Sequence, residues 1–391
     1  MTATEPARLD DLLQEPTEGE QRVTPLELFF DLVFVFAITQ VTGYVSGGAT
    51  WTGFVEGLAI LALLWWAWSS YAWLGNTAAS DDGVIRVVLM SAMASMLVAS
   101  LAVPRAFGDD ALVFGVAYFV VRALHIAAYV VVSRGDPMLR EVVLRLASTA
   151  LPASALVVVA GALDGTAQAL CWAAALAVDY GGLVIRGTEG WRVEPGHFAE
   201  RHSLIIIIAL GESIVSLGVG AGGLALDAGV IAGALLGIAV AAALWWAYFD
   251  VVAIVAERRF RGAGPAEQVR IARDSYTYLH LPMIAGIILF AVGVKKTLGH
   301  VGDDLHAVHA TALCGGVALY FLALSTLKRR NIGSFNLPRL AAAALLAVLV
   351  PLATALPALL ALAFVALIAC GLIAFEVRRY AEARERIRHG A

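Results

Sequence analysis
The feature that most constrains this chain is a succession of apolar runs, each long enough to cross a bilayer. A hydrocarbon core of about 30 Å is spanned by about 20 mostly apolar residues of helix. Runs of that length fall at approximately 25–46, 54–74, 84–103, 111–132, 139–162, 166–185, 200–220, 228–251, 273–294, 306–327, 337–354 and 357–377. Polar or Gly/Pro-rich breaks separate them, the weakest being the bare ATALP before the last run. Composition agrees. Of all residues 60% are hydrophobic and 15% charged, against about 45–50% and about 25% in soluble domains. The expected fold is all-α, a polytopic integral membrane protein of about twelve transmembrane helices with the lipid bilayer as its first partner. No Walker A, GxSxG, HExxH or dinucleotide fingerprint follows a strand, and no strands are expected. That argues against an ATP-driven pump or a soluble-type hydrolase within this chain. No cofactor and no nucleic-acid partner are expected.

Lys and Arg favour the cytoplasmic side of a membrane. With the N-terminus inside, nearly all of the 27 basic residues fall on inner segments. Arg105, Lys295 and Lys296 are left outside, and Arg122 lies within the fourth span. The even span count and this asymmetry point to an N-in, C-in protein of the cytoplasmic (inner) membrane. Residues 1–24 read as an acidic cytoplasmic tail without the basic start of a signal peptide. Residues 378–391 read as a basic cytoplasmic tail that touches anionic headgroups or simply fixes the topology. Cys171, Cys314 and Cys370 sit in apolar runs without metal spacing and read as small packing residues.

An internal repeat emerges from the charges and tryptophans. WWAW at 65–68 recurs as WWAY at 245–248. Farther on, Asp109-Asp110 matches Asp303-Asp304, Arg134 matches Lys328 and Arg145-Leu146 matches Arg339-Leu340, all at an offset of 194. Residues 25–185 and 200–377 are therefore expected to be two six-helix repeats joined by a cytoplasmic linker at 186–199. Six spans return the chain to its starting side, so the copies run parallel, related by an axis along the membrane normal. Chance likeness of Ala- and Val-rich helices is the alternative.

Charged side chains are costly inside a bilayer, so the few that occur there are the candidates for function. ELFFDLVFVFAITQ at 27–40 carries Glu27 and Asp31 one turn apart on one helical face. Asp31 needs a partner or a cavity: it either binds a proton or cation, or joins a structural ion pair with Arg201 or Arg273. Glu212, in LIIIIALGESIVSLG, is surrounded by Gly211, Ser213 and Ser216. Small residues of that kind permit close helix packing. Arg201 lies three turns away on the same helix and cannot neutralise Glu212, so another helix, a bound cation or protonation must. In RIARDSYTYLHLPMIAGI, Arg273, Tyr276 and His280 share one face by i, i+3, i+7 spacing, and Asp274 shares another with Tyr278. His280 has Pro282 just beyond it and is either a titrating site or a satisfied interhelical contact. Arg122 with His125, Asp179 with Tyr180, and Asp250 complete the polar interior, with Arg122 expected to balance a carboxylate. His197, Glu200 and His202 show loose metal-ligand spacing but read as polar first-turn residues, and no metal is expected. Trp65, Trp66, Trp68, Tyr71 and Trp73 read as packing or an interfacial belt, or else as a cage for a cation.

The stretches ELFFDLVFVFAITQ, HFAERHSLIIIIALGESIV and RDSYTYLHLPMIAGIILFAVG resemble the bacterial low-temperature-requirement A family of membrane proteins. The resemblance runs from about residue 21 to the end of the twelfth span. It implies a multi-pass membrane protein and picks out Asp31, Glu212 and His280 as motif positions. The family is named for a growth phenotype, so the resemblance implies no substrate. Three functions remain open. A proton- or cation-coupled secondary transporter of a small molecule would use Asp31 and Glu212 for coupling, His280 as relay or substrate contact, and Arg122 as counter-charge. An intramembrane enzyme acting on a lipid or isoprenoid would use a protonated carboxyl as general acid in an apolar cavity. A scaffold or sensor would use the same residues only to hold helices together.

Overall fold
A computed structural model describes residues 23–77, 83–185, 187 and 189–389. The acidic tail expected before the first span falls almost wholly outside the described residues, as do Arg186 and part of the break between the second and third spans. The described chain is all-helical: α1 Pro25–Gly47, α2 Trp51–Gly75, α3 Gly83–Arg105, α4 Ala111–Val132, α5 Pro137–Ala160 and α6 Gly165–Ile185. There follow α7 Pro195–Ala221, α8 Ala228–Arg261, α9 Pro265–Gly299, α10 Ala307–Ile332, α11 Leu337–Ala353, α12 Ala358–Arg379 and a short α13 Ala381–His389. Eleven of these are long and apolar enough to cross a membrane. The twelfth expected span, α11, has 17 residues, the lower end of a crossing length of about 17–25. The protein is a multi-pass membrane protein.

Local sequence sets the helix ends. Pro25 opens α1 behind Thr24, whose hydroxyl accepts from Glu27 N while Glu27 Oε2 accepts from Thr24 N at 2.9 Å. This reciprocal cap holds the Glu27 carboxylate at the mouth of the helix. Pro195 opens α7 behind Glu194, whose carboxylate accepts from Gly196 N at 3.1 Å and from His197 N. The helix therefore starts about a turn earlier than the apolar run alone suggests. Large apolar side chains such as Val55, Leu101, Leu144, Leu235 and Leu367 face outward, and in a membrane that outer surface meets lipid.

Two helices contain π-helical turns, Ala272–Tyr278 in α9 and Thr311–Gly315 in α10. Such turns shift side-chain register and concentrate at functional sites. Between them, α9 and α10 touch backbone to backbone: a Cβ on Gly286 would stand 2.6 Å from Gly316 O. Glycine is what permits that approach.

Within residues 25–185, α1 packs on α2 and α3, α3 on α4, α4 on α5, α5 on α6, and α6 returns to α2. Within the second set of six, α7 packs on α8 and α9, α9 on α10, α10 on α11, α11 on α12, and α12 returns to α8. Between the sets, α1 meets α7 and α9, and α2 meets both as well. The helices α2 and α9 are the most enclosed of all.

Candidate functional site
The carboxylates of α1 meet a cation on α7. Arg201 Nη1 donates to Glu27 Oε1 at 2.8 Å and Nη2 to Asp31 Oδ1 at 2.7 Å. Because Glu27 and Asp31 stand one turn apart, a single planar guanidinium spans both. His197 Nε2 lies 3.1 Å from Glu27 Oε2, and Trp68 Nε1 donates to Asp31 Oδ1 at 2.8 Å. The Arg201 guanidinium also sits 5.6 Å from the Trp68 ring centre. Arg201 and Asp31 are 1% exposed and Glu27 is 5% exposed, so water contributes little to neutralising them.

The tryptophans of α2 dock on the π-turn of α9. Pro282 brings no N–H, which leaves the preceding turn short of a donor. Trp65 Nε1 donates to Thr277 O at 2.8 Å, and Trp73 Nε1 to Thr277 Oγ1 at 2.9 Å. His280 is fixed between helices: Nδ1 bonds the Ser275 carbonyl at 2.9 Å, so Nδ1 carries the proton and Nε2 accepts from Tyr248 OH at 2.9 Å. Tyr276 stacks on His280 with ring centres 5.2 Å apart. His202 lies among Trp65, Trp68, Tyr276 and His280, donating from Nδ1 to Phe198 O at 2.8 Å.

Arg273 does not join this group. The π-turn displaces the face expected from regular helical spacing, and Arg273 Nε instead bonds Asp274 Oδ1 at 2.7 Å. Asp274 also takes Arg330 at 2.9 Å, so it belongs to an ion-pair cluster at the end of the bundle and makes no hydrogen bond with Tyr278. Tyr278 OH donates to Tyr180 O at 2.5 Å. The loose metal spacing also disperses: His197 goes to Glu27, His202 to Phe198, and Glu200 Oε2 to Val23 N at 3.3 Å.

Glu212 sits eleven residues beyond Arg201 on α7, about 16 Å along the axis. It is 3% exposed. Thr39 Oγ1 of α1 donates to Oε2 at 2.6 Å and Ser216 Oγ donates to Oε1 at 3.1 Å. Among the described residues no Lys, Arg or His pairs with it. Thr39 Oγ1 is also 3.2 Å from Val35 O.

Arg122 pairs with Asp179 at 3.2 Å between α4 and α6 and also bonds Ser70 Oγ. Tyr118 OH adds a hydrogen bond to Asp179 at 3.2 Å. Asp179 of this pair borders a cavity lined by α2, α4, α5 and α6 and by Thr277 of α9, with Trp66, Trp73, His125, Arg145 and Trp191 on its walls. A second cavity lies among α8, α10, α11 and α12 and is bordered by α13. It contains the bidentate pair of Arg339 with Glu376, at 2.9 Å for both contacts. Asp250 lies at its edge and takes Arg384 of α13 at 2.5 Å.

Spacing rules marked the acids and offered Arg201 as one of two partners for Asp31, but passed over the indole and imidazole donors. Trp65, Trp68 and Trp73 read as packing because an indole N–H leaves no trace in hydropathy. His197 read as a first-turn residue because its partner lies 170 positions away. A histidine and an arginine one turn apart, opposite two acids one turn apart, was the available signal.

The bacterial low temperature requirement A protein family has a profile that matches residues 22–374 of the chain. An uncharacterized protein of Rhizobium meliloti (strain 1021) is 29% identical over 332 residues, which covers 81% of this chain and 80% of that protein. No solved structure matches the chain. The protein belongs to the bacterial low temperature requirement A family.

Proposed function
We propose that this family member is a secondary transporter of the cytoplasmic membrane, with Glu212 as the group that takes up and releases the coupling proton or cation. The observation that carries the proposal is the nature of the partners of Glu212. Arg, Trp and a protonated His can only donate, so they hold a carboxylate in its ionised form. Hydroxyls donate or accept. When Glu212 is ionised, Thr39 and Ser216 donate to it. When it is protonated, it can donate to Thr39 Oγ1 while the Thr39 proton turns to Val35 O, 3.2 Å away. The same neighbours satisfy both states without moving a backbone, which is what reversible occupation of a buried site needs.

The clamp of Glu27, Asp31 and Arg201 joins α1 to α7, the first helices of the two sets. Matching helix pairings in the two sets agree with two parallel repeats joined near residues 186–199, entering and leaving on the cytoplasmic side. Rocking of one repeat against the other about α1, α2, α7 and α9 would expose Glu212 to alternate sides. His280, locked between Ser275 and Tyr248, serves as part of the hinge contact rather than as a relay.

The test is proton flux into liposomes carrying purified protein, challenged with a panel of small metabolites and ions. The reading expects a substrate-dependent flux that disappears in Glu212→Gln. A flux unchanged by that substitution would remove Glu212 from the mechanism. If folded, inserted protein gives no flux with any candidate, the transporter reading fails and lipid turnover becomes the assay.

A further inference from the structure
We infer that the cavity lined by α2, α4, α5 and α6 binds a small aromatic carboxylate that also carries a hydroxyl, with Arg145 taking its carboxylate. The two cavities differ at matching positions. Arg339 on α11 and Arg145 on α5 stand 194 positions apart, and so do Glu376 on α12 and Gly182 on α6. In the second cavity the Glu376 carboxylate meets Arg339 through two parallel contacts of 2.9 Å. In the first, Gly182 brings no side chain, and Gly182, Thr149 and Arg145 all line the cavity. Arg145 uses Nη2 on the Glu189 carbonyl at 3.0 Å, while its Nε is buried with no partner among the described residues. In the second cavity an acid of the wall pairs with the arginine; in the first, Asp179 is taken by Arg122, Thr149 stands beside Gly182, and no acid pairs with Arg145 among the described residues.

The rest of the wall specifies the ligand further. His125 is 1% exposed. Its Nε2 lies 3.0 Å from the Ser70 carbonyl, so Nε2 carries the proton and Nδ1 is an acceptor. Nδ1 has no partner among the described residues. A ligand hydroxyl would satisfy it. The faces of Trp66, Trp73 and Trp191 suit a flat ring between the two polar ends. This site shares no residue with the surroundings of Glu212, and its chemistry is the same whether the ligand is carried, sensed or converted.

The test uses full-length protein in lipid nanodiscs and follows tryptophan emission. The probes are 4-hydroxybenzoate, 4-hydroxyphenylacetate and 4-hydroxycinnamate, each paired with its primary amide. At least one acid is expected to saturate the signal, with its amide about tenfold weaker or worse, the effect of a lost charge-assisted hydrogen bond. Arg145→Gln should weaken the acid by the same factor and leave the amide unchanged. The sharper variant copies the second cavity into the first. Gly182→Glu is made with Thr149→Ala, because a Cβ at Gly182 would stand 2.9 Å from Thr149 Cγ2 and the matching position holds Ala343. That chain should carry its own carboxylate to Arg145 and lose acid binding while remaining folded. The inference is overturned if acids and amides bind alike, if Arg145→Gln leaves the acid unaffected, or if no acid saturates at about 10 mM.

Discussion

The carboxylates of α1 and the carboxylate of α7 are buried to the same degree and held in opposite ways. Glu27 and Asp31 accept from an arginine, a tryptophan and two backbone or side-chain donors of the cap. Glu212 accepts from two hydroxyls. The first arrangement surrounds the acids with donors, which favours the ionised form, and joins two helices. The second tolerates two charge states at one geometry. Burial alone therefore does not distinguish these acids; the kind of partner each one has does.

The comparison is broken most severely at Arg201. Arg201→Gln leaves two buried acids without their shared cation, and removal of one partner from a buried pair costs about 3–5 kcal/mol. Thermal unfolding of purified protein in detergent should show a large loss, or expression should fail. Adding Glu27→Gln and Asp31→Asn to the same chain removes the orphaned charges and should recover most of the loss. If the triple variant is no more stable than Arg201→Gln alone, charge compensation is not what holds α1 to α7.

Much of this fold could be read from hydropathy, because a bilayer demands a long apolar run for each crossing. The same rule explains where reading faltered. Span α11 is short, and its predecessor break is polar while its successor is only ATALP. Helix α9 begins eight residues before its apolar run, since Pro265 starts a helix that charged residues then continue. The site was legible in its acids, which stand out against Leu, Ile and Val. Their pairing was not, because Arg201 was one of two cations offered to Asp31 and only folding chooses between them. Arg273 illustrates the cause: a π-turn moves register by one residue, and no regular spacing anticipates it.

A milder break is Trp68→Phe. It keeps the ring beside Arg201 and deletes the N–H that bonds Asp31 Oδ1. Asp31 still has Arg201, so the expected loss is about 1 kcal/mol, near the upper range for interhelical hydrogen bonds in membranes. Thr39→Val should cost less, about 0.6 kcal/mol, because Ser216 continues to donate to Glu212 and the Val35 carbonyl keeps its helical bond. Unfolding midpoints of the two variants, measured side by side, check the order. A larger loss at Thr39 than at Trp68 would mean that Glu212, and not Asp31, is the structural acid.

The smallest expected effect on stability falls on the residue with the largest expected effect on function. Glu212→Gln keeps the volume, and its amide oxygen accepts from one hydroxyl while its amide N–H donates to the other. Both hydroxyl contacts are kept, because hydroxyls accept as readily as they donate, and only the second amide N–H is added without a partner. A change within about 0.5 kcal/mol is expected, the size of an ordinary neutral substitution. The matched change Asp31→Asn is expected to cost more: its amide oxygen can keep the Oδ1 contacts with Arg201 and Trp68, but its N–H groups replace Oδ2, which has no partner among the described residues, and Arg201 loses an ionic partner. Unfolding of Glu212→Gln and Asp31→Asn therefore measures the contrast directly. Equal losses would show that both acids are held as charges, and would leave Glu212 without the interchangeable partners on which its coupling role depends.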